Sequence, residues 1–330
     1  MRPRPLILVA CLVWVASALT ARAEVAPQSA LLDRTVLAPD QRHVMVVAHR
    51  GGGFFAPENT LAAIEVGVEV GVDGVELDVR RTADGHYVLM HDETVDRTTN
   101  GTGEVAALSL DALRALEIRW TPPGFVRKAQ FPVPPDSERF EGLKVPTLEE
   151  ALDRVRGRVF VMLDLKAEEA PEVAQVVAER DMLGQTVFKV NSVEEGQAVW
   201  AVAPTAVLMA RPDDEPALDT MLAALQPPLV HLDEATFTTP IVERLTEAGV
   251  LVWMNTLGKT DAVALVADGE DQRWSERLGP ELAGVFRMAF EPHVKPYRRL
   301  AARGADLLQT DNIVAVVEAM REYRKPRATP

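Results

Sequence analysis

VMVVAHRGGGFFAPENTLAAIEVGVEVGVDGVELDV, residues 44–79, opens with a β-branched run (44–48), passes through a glycine-rich turn and a helically spaced stretch, and ends in a second strand-like run, GVELDV (74–79). Two strands joined by a helix-length crossover are the connection that parallel neighbours require. The pattern recurs downstream. VFVMLDL (159–165), TVFKV (186–190), AVLMA (206–210), LVHL (229–232), VLVWMN (250–255) and ADLLQT (305–310) alternate with helical stretches such as PEVAQVVAERDM, TPIVERLTEAG and VKPYRRLAARG. Such alternation predicts an α/β fold with a parallel sheet clothed in helices. Eight runs fit a closed (β/α)8 TIM-type barrel, with an open doubly wound sheet as the alternative; no glycine-rich dinucleotide fingerprint follows the first run.

The first 23 residues, MRPRPLILVACLVWVASALTARA, read as a secretory signal peptide: basic Arg2 and Arg4, an apolar run to about Leu19, and a small-residue site at Ala21-Arg22-Ala23. A lipidated Cys11 or an uncleaved anchor are the rival readings. Residues 24–330 are then expected to form one barrel domain, exported to a periplasm or the medium, with no stable membrane insertion after cleavage. Cys11 is the only cysteine, so a processed chain would have no disulfide, thiolate metal site or thiol nucleophile. The formal net charge of −14 argues against nucleic acid or anionic membrane as a partner. An anionic substrate must instead be drawn in by local positive charge. Residues 119–144 and 268–295 read as two inserted loops; the oligomeric state is not legible.

HYVLM (86–90) breaks the alternation. It follows GVELDV too soon for a crossover, and Thr82-Ala83-Asp84-Gly85 is a turn signal, so it should return antiparallel as a hairpin. A turn centred near Asp84 and Gly85 sets His91 opposite Asp78, with α-carbons roughly 4.5–5.5 Å apart. Glu76 and Asp78 share one strand face. Two acids on an inward face of an apolar strand need basic partners or a cation. Asp164 and Lys166, also two apart, add a third carboxylate and a candidate phosphate contact, or else a plain ion pair. Oxygen donors without sulfur suit Mg²⁺ or Ca²⁺.

His49 and Arg50 end the first strand, where a barrel keeps its active site, and Pro57 suits the first turn of the next helix. Trp253 and Asn255 share a face of the seventh run, as a barrel plug or a wall of the substrate pocket. His43, His86, His231 and His293 take surface or packing roles. Two histidines can act as general acid and base, a carboxylate-held cation as Lewis acid, and Arg50 and Lys166 as ligands of a phosphate.

HRGGGFFAPENT, ELDVRRTADGHYVLMHD, RTTNGTG and KVPTLEEAL, with DLK, VLVWMNT and GADLLQTD behind them, resemble the glycerophosphodiester phosphodiesterases over residues 44–315. The resemblance implies a TIM-type barrel that hydrolyses glycerophosphodiesters to glycerol 3-phosphate and an alcohol, with one bound divalent cation. It makes His49 and His91 the acid–base pair, Arg50 the phosphate ligand, and Glu76 and Asp78 metal ligands. Asp164 stands where the family usually has a Glu, and the shorter side chain leaves the choice of metal open. The mechanism expected from both lines has His49 taking the proton of the glycerol 2-hydroxyl and His91 protonating the departing alcohol, through a cyclic phosphate; direct attack by water needs the same residues. A sphingomyelinase D-like lyase on lysolipids or sphingolipids is the first alternative, and predicts an exposed apolar rim from Phe54, Phe55, Trp120, Phe125 and Phe131. A non-catalytic periplasmic binding protein is the second.

Overall fold

The computed structural model describes residues 32, 43–120, 140–166, 169–256, 294–321 and 323. Strand β1 (Met45–Ala48) leads to helix α1 (Leu61–Val70), strand β2 (Gly74–Arg81), the short strand β3 (Tyr87–Leu89) and helices α2 (Leu110–Ala115) and α3 (Leu148–Val155). Strict alternation follows: β4 (Phe160–Leu165), α4 (Ala170–Glu179), β5 (Thr186–Val190), α5 (Val193–Val202), β6 (Val207–Ala210), α6 (Glu215–Leu225), β7 (Leu229–Leu232), α7 (Thr239–Glu247), β8 (Leu251–Asn255), α8 (Val294–Ala302), β9 (Leu307–Thr310) and α9 (Ile313–Arg321). All strands but β3 are parallel, and β1 pairs with both β2 and β9, so the sheet closes into the expected (β/α)8 barrel. The alternative of an open sheet, which would leave two edges, is excluded by that pairing.

Local chemistry places the ends of the helices. Thr60 caps α1 by accepting from the amide of Ala63, and Thr147 and Glu150 form a reciprocal capping box on α3. Pro57 is not in the first turn of α1; it lies in the preceding loop, and its carbonyl accepts from the Thr60 hydroxyl at 2.7 Å. Two apolar layers follow from strand alternation. Outward-facing residues such as Val46, Val75, Leu77, Val161 and Leu163 pack under the helices. Inward-facing Met45, Val47, Phe160, Met162, Val187, Met209, Leu229, Trp253 and Leu307 fill the barrel together with Leu32.

β3 returns antiparallel on β2, as expected, but one residue out of the expected register. Val79 pairs with Leu89 and Arg80 with Val88, so Met90, not His91, lies opposite Asp78, donating its amide to the Asp78 carbonyl at 3.0 Å. The cause is the loop. Thr82 accepts and donates across to His86, leaving three residues, Ala83, Asp84 and Gly85, with Gly85 in a left-handed conformation (φ 87°) that closes a three-residue turn. A small separate core of Val88, Met90, Val95, Val105, Leu113 and Val145 anchors the hairpin and the segment after it.

The signal-peptide reading, including Cys11, lies outside the described residues, as do His293 and most of the two inserted loops. Among the described residues no helix is long and apolar enough to cross a membrane.

Candidate active site

The interior columns of the barrel change character toward the carboxyl ends of the strands. Two residues beyond the last inward apolar residue of these strands stands a polar one: His49 after Val47, Asp164 after Met162, Lys189 after Val187, Arg211 after Met209, His231 after Leu229, Asn255 after Trp253 and Gln309 after Leu307. On β2 both Glu76 and Asp78 face inward, and each is 1% exposed. The apolar layers below exclude water, and the polar ring above them forms the mouth of the barrel.

The turn after β1 is built around Glu76. Arg50 adopts φ 52°, a left-handed conformation costly for a side chain-bearing residue. Its amide is held in return by Glu76 Oε2 at 2.8 Å. The Arg50 guanidinium donates to Glu58 Oε1 at 2.8 Å and stands 3.5 Å from Asp78 Oδ2. Asn59, also left-handed, clamps Asp78 from both sides, donating Nδ2–H to Oδ2 at 2.7 Å and accepting the Asp78 amide at 3.1 Å. The Pro-Glu-Asn-Thr segment thus positions the arginine, orients an acid and caps α1.

Both candidate histidines are oriented by a carboxylate on Nδ1. His49 Nδ1 is 2.6 Å from Asp311 Oδ1, and its Nε2 is 3.9 Å from Glu76 Oε2. His91 Nδ1 is 2.7 Å from Asp92 Oδ1. A carboxylate only accepts, so each Nδ1 carries hydrogen and each neutral ring keeps Nε2 as its acceptor. Burial pulls the His49 pKa down, but Asp311 and then Glu76 outweigh it and raise the group to about 9. His91 has its carbonyl fixed by Arg80 at 2.8 Å. Arg97 donates to both Asp92 (2.6 Å) and Glu58 (2.7 Å), holding Asp92 well below the usual carboxylate range. His91 is therefore tied through Asp92, Arg97 and Glu58 to Arg50. The one-residue shift of the hairpin leaves His91 at this mouth because the chain leaves the strand after Leu89.

Asp78 and Asp164 are paired neighbours on β2 and β4. One oxygen each of Glu76, Asp78 and Asp164 lies within 4.8 Å of the others. Burial and the adjacent Asp78 push Glu76 up to about 7, whereas Lys166 and Arg50 outweigh burial and keep Asp78 low. A buried acid cluster that cannot fully ionise by itself, made of oxygen donors alone, fits a hard divalent cation. Lys166 Nζ bridges Asp164 Oδ2 (2.5 Å) and Asp78 Oδ1 (3.0 Å). Lys166 thus makes the ion pair with Asp164 considered from sequence and extends it to Asp78.

Trp253 is the plug and not a wall of the pocket: it is fully buried against Phe160, and its indole N–H is shared between Asn255 Oδ1 (3.2 Å) and Gln309 Oε1 (3.1 Å). Asn255 is only partly buried beside it. Of the expected apolar rim, Phe54 and Phe55 lie in the core and Trp120 packs on Phe140; Phe125 and Phe131 lie outside the described residues. Of the two roles considered for His231, surface or packing, its burial excludes the surface one; it stands two residues beyond Leu229 on β7. Sequence reasoning gave no role to Asp311, Asp92, Glu58, Asn59, Arg97 or Lys189. Asp92 and the Glu58-Asn59 pair stood inside quoted motifs, whereas Asp311 is 262 positions from His49 and gave no local signal.

Residues 49–282 match the model of the Glycerophosphoryl diester phosphodiesterase family. A glycerophosphodiester phosphodiesterase of Caldanaerobacter subterraneus subsp. tengcongensis is 41% identical over 118 residues, 36% of this chain and 43% of that protein. The chain spans less than two thirds of the length of the curated relatives it matches. The crystal structure of a glycerophosphodiester phosphodiesterase from Agrobacterium tumefaciens superposes with TM-score 0.60 at 28% identity, over 83% of this chain and 100% of that one. An Oleispira antarctica phosphodiesterase, in complex with the product sn-glycerol-3-phosphate, shares the fold with TM-score 0.61 at 20% identity, over 85% and 98% of the two chains.

Proposed function

The chain belongs to the glycerophosphoryl diester phosphodiesterase family, and from that premise we propose that it hydrolyses glycerophosphodiesters to sn-glycerol 3-phosphate and an alcohol. One observation carries this: two histidines, each held at Nδ1 by its own aspartate, stand at the mouth where three carboxylates converge. Binding alone needs no such acid–base pair, which disfavours a non-catalytic binding protein. The buried Phe54 and Phe55 remove part of the rim that a lipid-directed lyase requires.

Glu76, Asp78 and Asp164 would hold one divalent cation, Ca²⁺ or Mg²⁺, which when bound supplies Lewis-acid stabilisation of charge developing on the phosphoryl oxygens. Arg50 and Lys166 offer fixed positive charge to the same phosphate. His49, made more basic by Asp311, takes the proton of the attacking hydroxyl at Nε2, whether that hydroxyl belongs to the glycerol 2-position or to water. His91, oriented by Asp92, delivers a proton to the departing alcohol oxygen. We propose further that residues 1–23 act as a leader and that the activity lies outside the cytoplasm.

The test is glycerol 3-phosphate release from glycerophosphocholine by chelator-treated protein, before and after Ca²⁺ or Mg²⁺ is restored. Release that returns with one ion is the expected result. Protein that binds cation but releases no glycerol 3-phosphate from any glycerophosphodiester would overturn the proposal.

A further inference from the structure

Across the mouth from β1 and β2, three consecutive strands carry nitrogen-bearing side chains on the inner face. Val187, Met209 and Leu229 belong to the interior cluster of the barrel; two residues beyond them stand Lys189, Arg211 and His231. The register makes Arg211 and His231 neighbours, since Ala210 pairs with Val230, and sets Lys189 opposite Met209, two residues short of Arg211. Lys189 Nζ is 2.5 Å from Asp164 Oδ2, the same oxygen that Lys166 Nζ approaches at 2.5 Å. One carboxylate oxygen thus faces two ammonium groups. Arg211 pairs with Asp213, a largely solvated carboxylate 3.0 Å away. His231 is 7% exposed, and its Nδ1 has no hydrogen-bond partner among the described residues. A buried polar nitrogen of this kind is normally satisfied, here by whatever occupies the mouth. Burial, with Lys189 and Arg211 close by, lowers His231 to about 3, so it serves as a neutral hydrogen-bonding group beside two fixed cations.

We infer that Lys189, Arg211 and His231 form a second anion-binding subsite in the barrel mouth, which takes a carboxylate or phosphate carried by the alcohol part of the substrate. It presupposes the proposed hydrolase activity and names the class of alcohol: one that bears its own negative charge. The scissile phosphate stays with Arg50 and Lys166, while the β5–β7 side of the mouth reads the leaving group.

The experiment compares two glycerophosphodiesters of nearly equal size, one with glycerol and one with glycerate as the alcohol. Both are used as substrates of the cation-loaded protein and as ligands in calorimetric titrations under chelator. The expected result is at least a tenfold preference for the glycerate diester in kcat/KM, weakening with added salt and reduced in Lys189→Met, Arg211→Met and His231→Phe. Equal kcat/KM for both diesters in the unmodified protein would overturn the subsite. So would equal slowing of both diesters by Arg211→Met, which would place this group on the scissile phosphate. If neither diester is turned over, release from glycerophosphocholine decides the hydrolase proposal separately. The titrations then decide: tighter binding of the glycerate diester, lost in Arg211→Met, supports the subsite, and equal or absent binding refutes it.

Discussion

Asp311→Asn isolates what a single distant carboxylate does for His49. The amide keeps nearly the same shape and can still accept from Nδ1, but it removes the negative charge 2.6 Å from the ring. The lift from 6.5 to about 9 corresponds to roughly 3 kcal/mol in favour of the charged imidazole, at about 1.4 kcal/mol per tenfold. Asp311 supplies the largest part of that lift, against a burial effect of opposite sign. With the charge gone, burial should prevail and His49 should titrate below its ordinary 6.5. The base would then be weaker and its tautomer no longer enforced, a combination that costs roughly 10²–10⁴-fold in turnover for comparable histidine–carboxylate pairs. Imidazole NMR titration of the chelated protein reads the first effect. The pH profile of kcat/KM for the cation-loaded protein reads the second, its acid limb moving to lower pH as the maximum falls. A His49 that still titrates near 9 in Asp311→Asn, or a variant retaining a tenth of the activity, would refute this account.

His91→Ala should leave the melting temperature nearly unchanged, since the ring is partly exposed, while glycerol 3-phosphate release falls at least 10²-fold; near-normal release removes His91 from the mechanism. Cation binding should also show without catalysis: Ca²⁺ or Mg²⁺ at about 100 times its Kd should stabilise the fold by about 2.7 kcal/mol in thermal denaturation, and Glu76→Gln with Asp78→Asn should abolish the shift. In the cation-free protein Glu76 is raised from 4.5 to about 7, so its contribution is full below pH 4.5 and is lost as pH rises through 7. Stability should fall across that window, and Glu76→Gln should flatten the fall. Gly67→Ala on α1 would bring a Cβ to 2.8 Å from the Gly51 carbonyl oxygen. It should cost about 1–3 kcal/mol and depress activity by displacing the turn that carries His49 and Arg50, read by melting temperature and kcat together.

The barrel and half of its mouth were legible because their signals are local. Strand alternation puts Glu76 with Asp78, and Asp164 with Lys166, on single faces whatever the rest of the chain does, and the β-branched runs marked all eight strands to within two residues of their ends. The hairpin was half legible: Thr-Ala-Asp-Gly announces a turn, but whether two or three residues close it depends on backbone conformations at Ala83 to Gly85 that composition does not specify. The sequence alone therefore determined that Glu76 with Asp78, and Asp164 with Lys166, share strand faces, and that His49 and Arg50 end the first strand. Only the closed structure decided which of them meet. Asp311 reaches His49 because β9 pairs with β1, and Lys189 reaches Asp164 because β5 pairs with β4. His231 comes to lie beside Arg211 because β7 pairs with β6, its Nδ1 without a hydrogen-bond partner among the described residues. Barrel closure is a long-range event that brings together residues hundreds of positions apart, and a pattern of period two or 3.6 carries no information about it.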